Sequence, residues 1–298
     1  MKYISVAEAA KQWNISERSV RNYCAHGRIP NALLKGKTWY LPENSQKPER
    51  ANKHSAMPPR TLLEVLQSEK ASKLPGGIYH KVQIDFTYNS NHMEGSRLTH
   101  DQTRYIFETN TIGVHEATLN VDDIVETSNH FRCIDLIIER AAFIINEALI
   151  KQLHAMLKNG TSDSRKDWFA VGDYKKLPNE VGGKGTALPE EVPAKMKELL
   201  ADYNAKKEKS FEELLDFHYR FECLHPFQDG NGRIGRLLLF KECLRNNIVP
   251  FIIDEELKMF YYRGLKEWQH ERGYLRDTCL AAQDKFKANL DYFQIAYK

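Results

Sequence analysis

The sequence predicts a mainly α-helical protein, with a helical body that carries a β-hairpin flap and a small winged unit in front of it. Three observations support this fold class. From Thr61 onward, apolar residues recur at the three- and four-residue spacing of amphipathic helices through most of the chain. Residues 5–41 contain two short helical patterns and then two apolar runs around a Lys-Gly-Lys turn. Residues 169–185 interrupt the helical pattern with four glycines and alternating apolar positions.

The composition is that of a folded chain without a membrane segment. Of the 298 residues, 42% are hydrophobic and 28% are charged. No apolar run approaches the roughly 20 residues that span a bilayer. Five cysteines without a CxxC pair indicate reduced thiols, and the chain begins without a signal-peptide pattern. We therefore expect a cytoplasmic protein.

Positive charge is concentrated near the N-terminus. Residues 1–50 contain nine lysines and arginines but four acidic residues, whereas the net charge of the whole chain is +3. A basic module on a nearly neutral body indicates that the first fifty residues bind an anion such as DNA. The alternative is a surface that is basic only for solubility.

Helix caps mark the elements of the N-terminal unit, residues 1–45. Ser5 and Glu8 have the spacing of a capping box for a first helix, and Ser16 can cap a second helix over residues 17–25. The apolar runs that follow predict a β-hairpin wing. The order of helix, tight turn, helix and wing is that of a winged helix-turn-helix.

This unit resembles the small winged helix-turn-helix of the MerR and excisionase families over about residues 3–42. The resemblance implies that the second helix enters the major groove of DNA and that the wing contacts phosphate. The residues that it assigns to DNA are Arg18, Ser19, Arg21, Asn22, Lys35 and Lys37. A helical pair that binds a protein, or that serves only to fold, is the alternative.

A polar linker, residues 46–60, joins this unit to the body and contains three prolines and several basic residues. The body, residues 61–298, shows helical patterns separated by glycine, proline and polar turns. We predict helices at 62–74, 84–93, 101–115, 120–139, 143–158, 190–206, 211–223, 232–246, 254–270 and 275–295. Residues 169–185 read as a β-hairpin or extended flap.

The most informative segment is residues 225–236, His-Pro-Phe-Gln-Asp-Gly-Asn-Gly-Arg-Ile-Gly-Arg. A glycine-rich loop that opens a helix offers free backbone N–H groups and the positive end of the helix dipole, where polyphosphates bind. Asp229 offers a carboxylate for Mg²⁺, and the two arginines can bind phosphate oxygens. His225 can accept a proton. The segment therefore predicts a nucleotide-phosphate enzyme, with Phe227 anchoring the loop in the core.

These twelve residues match the Fic signature, HPF-x-(D/E)-GNGR-x-x-R, at every specified position, and the similarity extends over about residues 80–280. Fic proteins are helical enzymes that mostly transfer AMP from ATP to a protein hydroxyl. The resemblance implies that His225 is the general base and that Asp229 holds Mg²⁺. It assigns the β-phosphate to Arg233 and the γ-phosphate to Arg236. The backbone groups that it assigns to the α- and β-phosphates are those of Gly230, Asn231 and Gly232.

Two further regions match what Fic proteins use. Val181, Gly182, Gly183 and Lys184 resemble the flap that lies over the nucleotide and lets a target chain add as an extra strand. Tyr261 and Tyr262 stand at the distance along the chain from the signature where related enzymes line the adenine pocket. Ordinary packing of both tyrosines is the alternative.

Residues 90–95, Ser-Asn-His-Met-Glu-Gly, match the inhibitory motif of the family, (S/T)-x-x-x-E-(G/N). The motif begins at Ser90, on a helix expected at about residues 85–95. The resemblance implies that Glu94 pairs with Arg236, removes the partner of the γ-phosphate and so restrains transfer. In some related enzymes the same glutamate also helps to remove AMP, and the sequence leaves the dominant direction open. An exposed helical glutamate is the alternative.

Other functions stay open at this point. A Fic body can transfer another phosphate-linked group, although kinase-like members depart from GNG in the signature and Gly230 is intact here. The chain can instead be a transcription regulator whose Fic body senses nucleotide. The target protein, self-modification, the DNA site and homodimer formation are not decided by the sequence.

Overall fold

The computed structural model describes residues 2–25, 27–36, 38–48, 61–113 and 118–297. The chain divides into two compact units, Met1–Met57 and Pro58–Lys298, and the division falls inside the predicted linker. None of the helices in the described ranges is both long enough and apolar enough to cross a membrane.

In the first unit, two helices pack on a three-stranded antiparallel sheet. The elements are β1 (Tyr3–Ser5), α1 (Val6–Trp13), α2 (Glu17–Ala25), β2 (Leu33–Lys35) and β3 (Thr38–Pro42). The predicted helices, the capping box and the hairpin wing are all present. Strand β1 was not predicted, because three residues are too few to show a period. It pairs with β3, which becomes the central strand in the order β1-β3-β2.

The second unit is helical, as predicted. Its helices are α3 (Leu62–Ser72), α4 (Ile78–Met93), α5 (His100–Thr109), α6 (Val121–Glu139), α7 (Glu147–Lys158), α8 (Val192–Asn204), α9 (Phe211–Leu224), α10 (Asn231–Arg245), α11 (Glu255–Glu267) and α12 (Gly273–Tyr292).

The two largest differences from the predicted boundaries are six residues each, and the first is the start of α4, which begins at Ile78 and not at Ile84. Its cap comes from another helix, because the N–H of Tyr79 donates to the Glu69 carboxylate at 2.8 Å. Such a cap leaves no local sequence signal. Helix α5 ends at Thr109, short of residue 115, because Asn110 adopts a left-handed conformation with φ of 54°.

Helix α10 runs through the core of the second unit and is covered on all sides. Ile234, Leu237 and Leu238 have no exposed surface, and Leu239 and Phe240 are also buried. The charged residues Arg233, Arg236, Lys241 and Glu242 of the same helix are buried as well. The loop that precedes α10 is therefore attached to a helix that is buried along almost its whole length.

The flap is shorter than the predicted segment. Strands β4 (Glu180–Val181) and β5 (Lys184–Gly185) pair around a two-residue turn. Gly182 and Gly183 form that turn with φ of 57° and 75°, which glycine adopts at the lowest cost. Residues 169–179 form no strand.

Candidate active site

The loop between α9 and α10 is bounded by two left-handed residues. His225 ends α9 with φ of 52°, and its N–H donates to the Phe221 carbonyl at 3.0 Å. Gly230 begins α10 with φ of 84°. A Cβ atom on Gly230 would lie 3.3 Å from Leu157 Cδ2, so both conformation and space favour glycine here. The first N–H groups of α10 have no acceptor within the helix and are available to a ligand.

The Asn231 side chain holds the loop closed from inside. Its Oδ1 accepts the Phe227 N–H at 2.8 Å, and its Nδ2 donates to the Phe227 carbonyl at 2.8 Å. Phe227 is fully buried and stacks on the His154 ring, with 4.0 Å between ring centroids. The predicted anchoring of the loop by Phe227 is present, and Asn231 adds a side-chain role to the backbone role expected for it.

His154 joins the loop to the chain segment that leads into the flap. Its Nδ1 accepts the N–H of Gly172 at 2.9 Å, and its Nε2 lies 3.2 Å from the Asp229 carbonyl. A backbone N–H can only donate and a carbonyl can only accept, so the proton of the neutral ring is on Nε2. Burial lowers the pKa of His154 to about 4, which keeps this tautomer neutral.

His225 has the protonation state that a general base needs. Its Nδ1 lies 3.3 Å from the Glu222 carbonyl and therefore carries the proton, so Nε2 has its lone pair free. Burial, with the nearby charge of Lys175, lowers the pKa of His225. The imidazole is therefore neutral at pH 7.

Asp229 is held as an ionised carboxylate. Its Oδ2 accepts from Lys158 Nζ at 2.6 Å and from Arg233 Nη2 at 3.3 Å. Burial alone would raise the pKa of Asp229, but the charges of Arg233 and Lys158 outweigh it and hold that pKa below the ordinary value.

The surroundings of Asp229 fit Mg²⁺, which takes hard oxygen ligands and commonly binds one or two carboxylates together with substrate phosphates. The side chain is 47% exposed, although its two cationic partners are buried. Within the described ranges, no cluster of three His, Cys, Asp or Glu side chains could hold a metal ion by itself. An ion at Asp229 would take its other ligands from water and from substrate phosphates.

Arg233 is buried and engaged by two carboxylates. One side of its guanidinium contacts Glu126, and Nη2 reaches Asp229. The charges of these carboxylates raise the pKa of Arg233 against the opposing effect of burial. The contact with a β-phosphate that the resemblance assigns to Arg233 stays a proposal, since in this structure the arginine orients the loop carboxylate.

Arg236 is bound by residues of the predicted inhibitory motif. Its Nε donates to Ser90 Oγ at 3.0 Å, and its Nη2 donates to the Ser90 carbonyl at 2.9 Å and to Glu94 Oε1 at 2.7 Å. The same carboxylate lies over the first turn of α10, because a Cβ atom on Gly232 would be 2.3 Å from Glu94 Oε1. Glu94 therefore places its negative charge at the positive end of α10.

The base of the flap is tied to the loop. The N–H of Lys175 donates to the Pro226 carbonyl at 2.9 Å, and Asn179 Nδ2 donates to the Phe227 carbonyl at 2.9 Å. The buried Lys175 ammonium donates to Asn179 Oδ1 and Thr186 Oγ1, both at 2.6 Å. These contacts fix where the hairpin leaves the body.

The hairpin tip contains the four flap residues that the sequence singled out. Val181 is 44% exposed and ends β4, and Gly182 and Gly183 make the turn. The backbone of Lys184 begins β5, and its side chain lies outside the described part of the structure. An exposed apolar residue beside a glycine turn suits contact with a bound molecule.

The two tyrosines of the expected adenine pocket have different environments. Tyr261 is 1% exposed, and its hydroxyl lies 2.6 Å from His218 Nε2. The adenine-lining expectation does not hold for Tyr261, because a covered ring has no face for a ligand, and packing is its role. Tyr262 is 38% exposed, and its hydroxyl donates to the Met93 carbonyl at 3.3 Å, next to Glu94.

The residues expected to contact DNA lie on the surface of the first unit. Arg18, Arg21, Asn22 and Lys35 are exposed, and Ser19 is half-buried. Ser19 Oγ lies 2.9 Å from Ser16 Oγ, and Arg21 Nη2 donates to Glu17 Oε2 at 2.6 Å. Lys37 lies outside the described residues.

Sequence reasoning missed three residues around the loop: Glu126, His154 and Lys158. A signal was available for two of them. His154 and Lys158 fall at the three- and four-residue spacing of the buried apolar stripe of α7, beside Leu153 and Leu157. A basic residue on an apolar stripe indicates a buried partner. Glu126 lies far from the loop in the chain and gives no such local signal.

Comparison with known proteins identifies relatives of the second unit. Residues 144–242 match the model of the Fic/DOC family. The protein adenylyltransferase Fic of Drosophila grimshawi is 28% identical over 198 residues, which cover 63% of this chain and 37% of the relative. That of Nematostella vectensis is 26% identical over 193 residues, which cover 61% of this chain and 42% of the relative. The chain thus spans about two fifths of the length of the curated relatives it matches.

Solved structures share the fold. A Fic domain containing signaling protein from Bacteroides thetaiotaomicron is 28% identical, with a TM-score of 0.58 over 77% of this chain and 90% of that one. Fic-1 from C. elegans has a TM-score of 0.60 over 78% of this chain and 72% of its own, at 18% identity, which is a likeness of fold alone.

Proposed function

We propose that this chain, which contains a Fic domain, is a protein adenylyltransferase that transfers AMP from ATP to a Ser, Thr or Tyr hydroxyl of a protein. Relatives at 26% and 28% identity have that name, and residues 144–242, which match the Fic/DOC family model, include the whole loop at 225–236. One observation carries the proposal. One loop leads into the glycine-rich start of α10 and contains both a histidine with a free Nε2 and an ionised aspartate.

The chain's own residues supply the steps of an in-line transfer. His225 Nε2 takes the proton of the target hydroxyl as that oxygen attacks the α-phosphorus of ATP. The bond from the α-phosphorus to the bridging oxygen breaks, and pyrophosphate leaves. The N–H groups of Gly230, Asn231 and Gly232 bind the phosphate oxygens, and Arg236 binds the leaving group.

Asp229 would hold Mg²⁺, and the bound ion would neutralise phosphate charge as the leaving group develops. Tyr262 has the exposed ring that an adenine can stack on. The flap tip, residues 181–184, would cover the nucleotide and align the target chain. Its attachment to the loop through Lys175 and Asn179 supports that assignment.

We also propose that the chain restrains its own activity. The ion pair from Glu94 to Arg236 removes the arginine from the γ-phosphate, and the carboxylate lies where phosphate would approach Gly232. A nucleotide bound beside Glu94 is then displaced from the pose that in-line attack requires. Release of Glu94 would restore transfer.

The experiment uses the Glu94→Gly variant with a host lysate and ATP labelled on either the α- or the γ-phosphate. AMP transfer labels protein from α-labelled ATP and not from γ-labelled ATP. Label from the γ-phosphate alone would indicate phosphoryl transfer and overturn the assignment. The double variant Glu94→Gly/His225→Ala is the matched control for transfer that does not require the base.

For the first unit we propose DNA binding as a second function. Arg18, Arg21 and Asn22 lie exposed on one short helix, and the exposed Lys35 lies on the wing. A gel shift with DNA from upstream of the coding sequence tests this proposal, with and without ATP. The Arg18→Ala/Arg21→Ala variant should lose the shift, and an unchanged shift would contradict the assignment of the second helix.

A further inference from the structure

Four charged side chains form a closed ring under the phosphate-binding loop. Lys158 contacts Asp229 at 2.6 Å and also contacts Glu126. Arg233 contacts the same two carboxylates, Asp229 at 3.3 Å and Glu126 at shorter range. Positive and negative charges therefore alternate around the ring. Its members come from α6, α7, the loop and α10.

The ring is buried on one side and open at Asp229. The exposed fractions of the side chains are 2% for Lys158, 4% for Arg233 and 12% for Glu126, against 47% for Asp229. Asp163 touches Lys158 at 3.2 Å from outside the ring. The buried charges thus converge on the one carboxylate that faces solvent.

Lys158 also packs directly against the phosphate-binding turn. A Cβ atom on Gly230 would lie 3.8 Å from Lys158 Cδ. The ammonium lies 5.4 Å from the centre of the Phe169 ring, which stacks beside His154. These contacts hold the lysine in one place, so its charge acts on Asp229 from a fixed direction.

A lysine with these contacts restricts the orientation of its carboxylate partner. Lys158 and Arg233 both donate to Oδ2 of Asp229, and the Gly230 N–H also donates to this carboxylate, so its rotation is restricted. Without the amine, Asp229 and Glu126 would share Arg233 as their one remaining cation in the ring. Asp229 and Glu126 would then repel each other in a partly dry site.

We propose that Lys158 is a positioning residue of the transfer reaction, which fixes the Asp229 carboxylate in the orientation that accepts the Mg²⁺ of Mg·ATP. The inference rests on the function proposed above. Lys158 is not in the loop signature. It acts through Asp229 and touches no reacting atom.

The test measures the affinity of ATP by calorimetry in the Glu94→Gly background, once with MgCl₂ and once with EDTA. We expect the parent to bind ATP more tightly with Mg²⁺. Lys158→Met should lose most of that gain, about tenfold or more, as is usual when the partner of a metal ligand is removed. Its affinity in EDTA should stay that of the parent, since the N–H groups of the turn are intact.

A purely structural role would weaken ATP binding equally with Mg²⁺ and with EDTA. That result would overturn the proposal, as would a full Mg²⁺ gain in Lys158→Met or no gain in the parent. Asp163→Asn is the matched control, because it removes a carboxylate from the same lysine outside the ring. The Asp163→Asn variant should keep the Mg²⁺-dependent gain in ATP affinity.

A second variant covers the case in which Lys158→Met is unfolded by circular dichroism. Glu126→Gln removes the charge of the carboxylate that contacts both Lys158 and Arg233, and this side chain lies nearer the surface than Lys158. It should lower the Mg²⁺ gain in the same direction, and an unchanged gain would count against the ring.

Failure of the inference and failure of the proposed function are distinguishable. Label transfer by Glu94→Gly reports the function, whereas the calorimetry needs no turnover. A lysine-dependent Mg²⁺ gain without AMP transfer would reject the function alone. AMP transfer together with a Mg²⁺-dependent gain in ATP affinity that is the same in Lys158→Met as in the parent would reject the inference alone.

Discussion

Arg236 and Glu94 are joined by a 2.7 Å contact between Nη2 and Oε1, and the arginine is buried while the glutamate is 30% exposed. Burial would lower the pKa of Arg236, but the charge of Glu94 outweighs it and raises that pKa further. The pair therefore unites a fixed cation with an anion that can move away. This asymmetry suits an inhibitory ion pair that is broken by movement of Glu94 while Arg236 stays in place.

Removing the anion should activate the enzyme. We expect Glu94→Gly to raise the rate of AMP transfer by about tenfold or more, because each 1.4 kcal/mol of released ion pairing is worth a factor of ten. Steady-state transfer from α-labelled ATP measures the effect. Ser90→Ala, which removes a 3.0 Å bond to Arg236 and keeps the ion pair, should give a smaller increase. Equal rates for wild type and Glu94→Gly would reject the brake.

Removing the base should stop the chemistry without preventing binding. In the Glu94→Gly background, His225→Ala should lower the transfer rate by about 10²- to 10⁴-fold, the usual contribution of a general base. ATP affinity should be nearly unchanged, because the N–H groups of the turn and Arg236 remain. Transfer that survives in the double variant would show that another group takes the proton.

The pH dependence of transfer should follow the lowered pKa of His225. The base must be neutral, so activity should be constant around pH 7 and fall only below the ordinary histidine value of 6.5. Glu222 also titrates in this pH range, since burial raises its pKa to about 7. A pH-rate profile of Glu94→Gly with and without Glu222→Gln separates the two groups. An acidic limb at or above 6.5 that remains in Glu222→Gln would contradict the assigned environment of His225.

His154 should make folding stability sensitive to acid. Its pKa is about 4 in the folded chain against 6.5 for an ordinary histidine, so between these values the unfolded chain binds a proton that the folded chain lacks. Stability due to this residue therefore falls as pH falls from 6.5 to 4, by roughly 1.4 kcal/mol per pH unit. Urea unfolding across this range should show a flatter pH dependence for His154→Gln than for wild type. Parallel curves would contradict the buried, neutral assignment.

The Asn231 side chain should matter for the shape of the loop. Asn231→Ala leaves the buried N–H of Phe227 without its 2.8 Å acceptor, whereas the Phe227 carbonyl loses one donor and keeps Asn179 Nδ2. We expect a loss of about 1–3 kcal/mol in the free energy of unfolding and a large loss of transfer. Asn231→Asp keeps the acceptor and loses the donor, so it should be intermediate in stability. A stable Asn231→Ala with full activity would show that Phe227 alone holds the loop.

Much of the fold could be predicted, because most helices show their apolar stripes and caps locally. Two of the predictions that failed did so because the determining contact was distant. Helix α4 begins early since Glu69 of α3 caps it, and β1 exists because β3 offers it a partner. Neither contact produces a recognisable sequence pattern in the segment whose structure it determines.

The site was predictable where its residues are close in the chain. The turn from His225 to Arg236 contains its own base, carboxylate and glycines, and the inhibitory motif names Glu94. The partners of Asp229 and Arg233 were not predictable, since Lys158 and Glu126 come from two other helices. The burial of Tyr261 could not be predicted from the sequence either, because tyrosine occurs both in pocket walls and in hydrophobic cores.

The position of the γ-phosphate in crystals of wild type and of Glu94→Gly, each soaked with ATP and MgCl₂, tests the central claim most directly. The account predicts α- and β-phosphates at the first turn of α10 in both crystals, with the γ-phosphate on Arg236 only in the variant. Nucleotide bound elsewhere, or a γ-phosphate on Arg236 in wild type beside an intact Glu94, would contradict it.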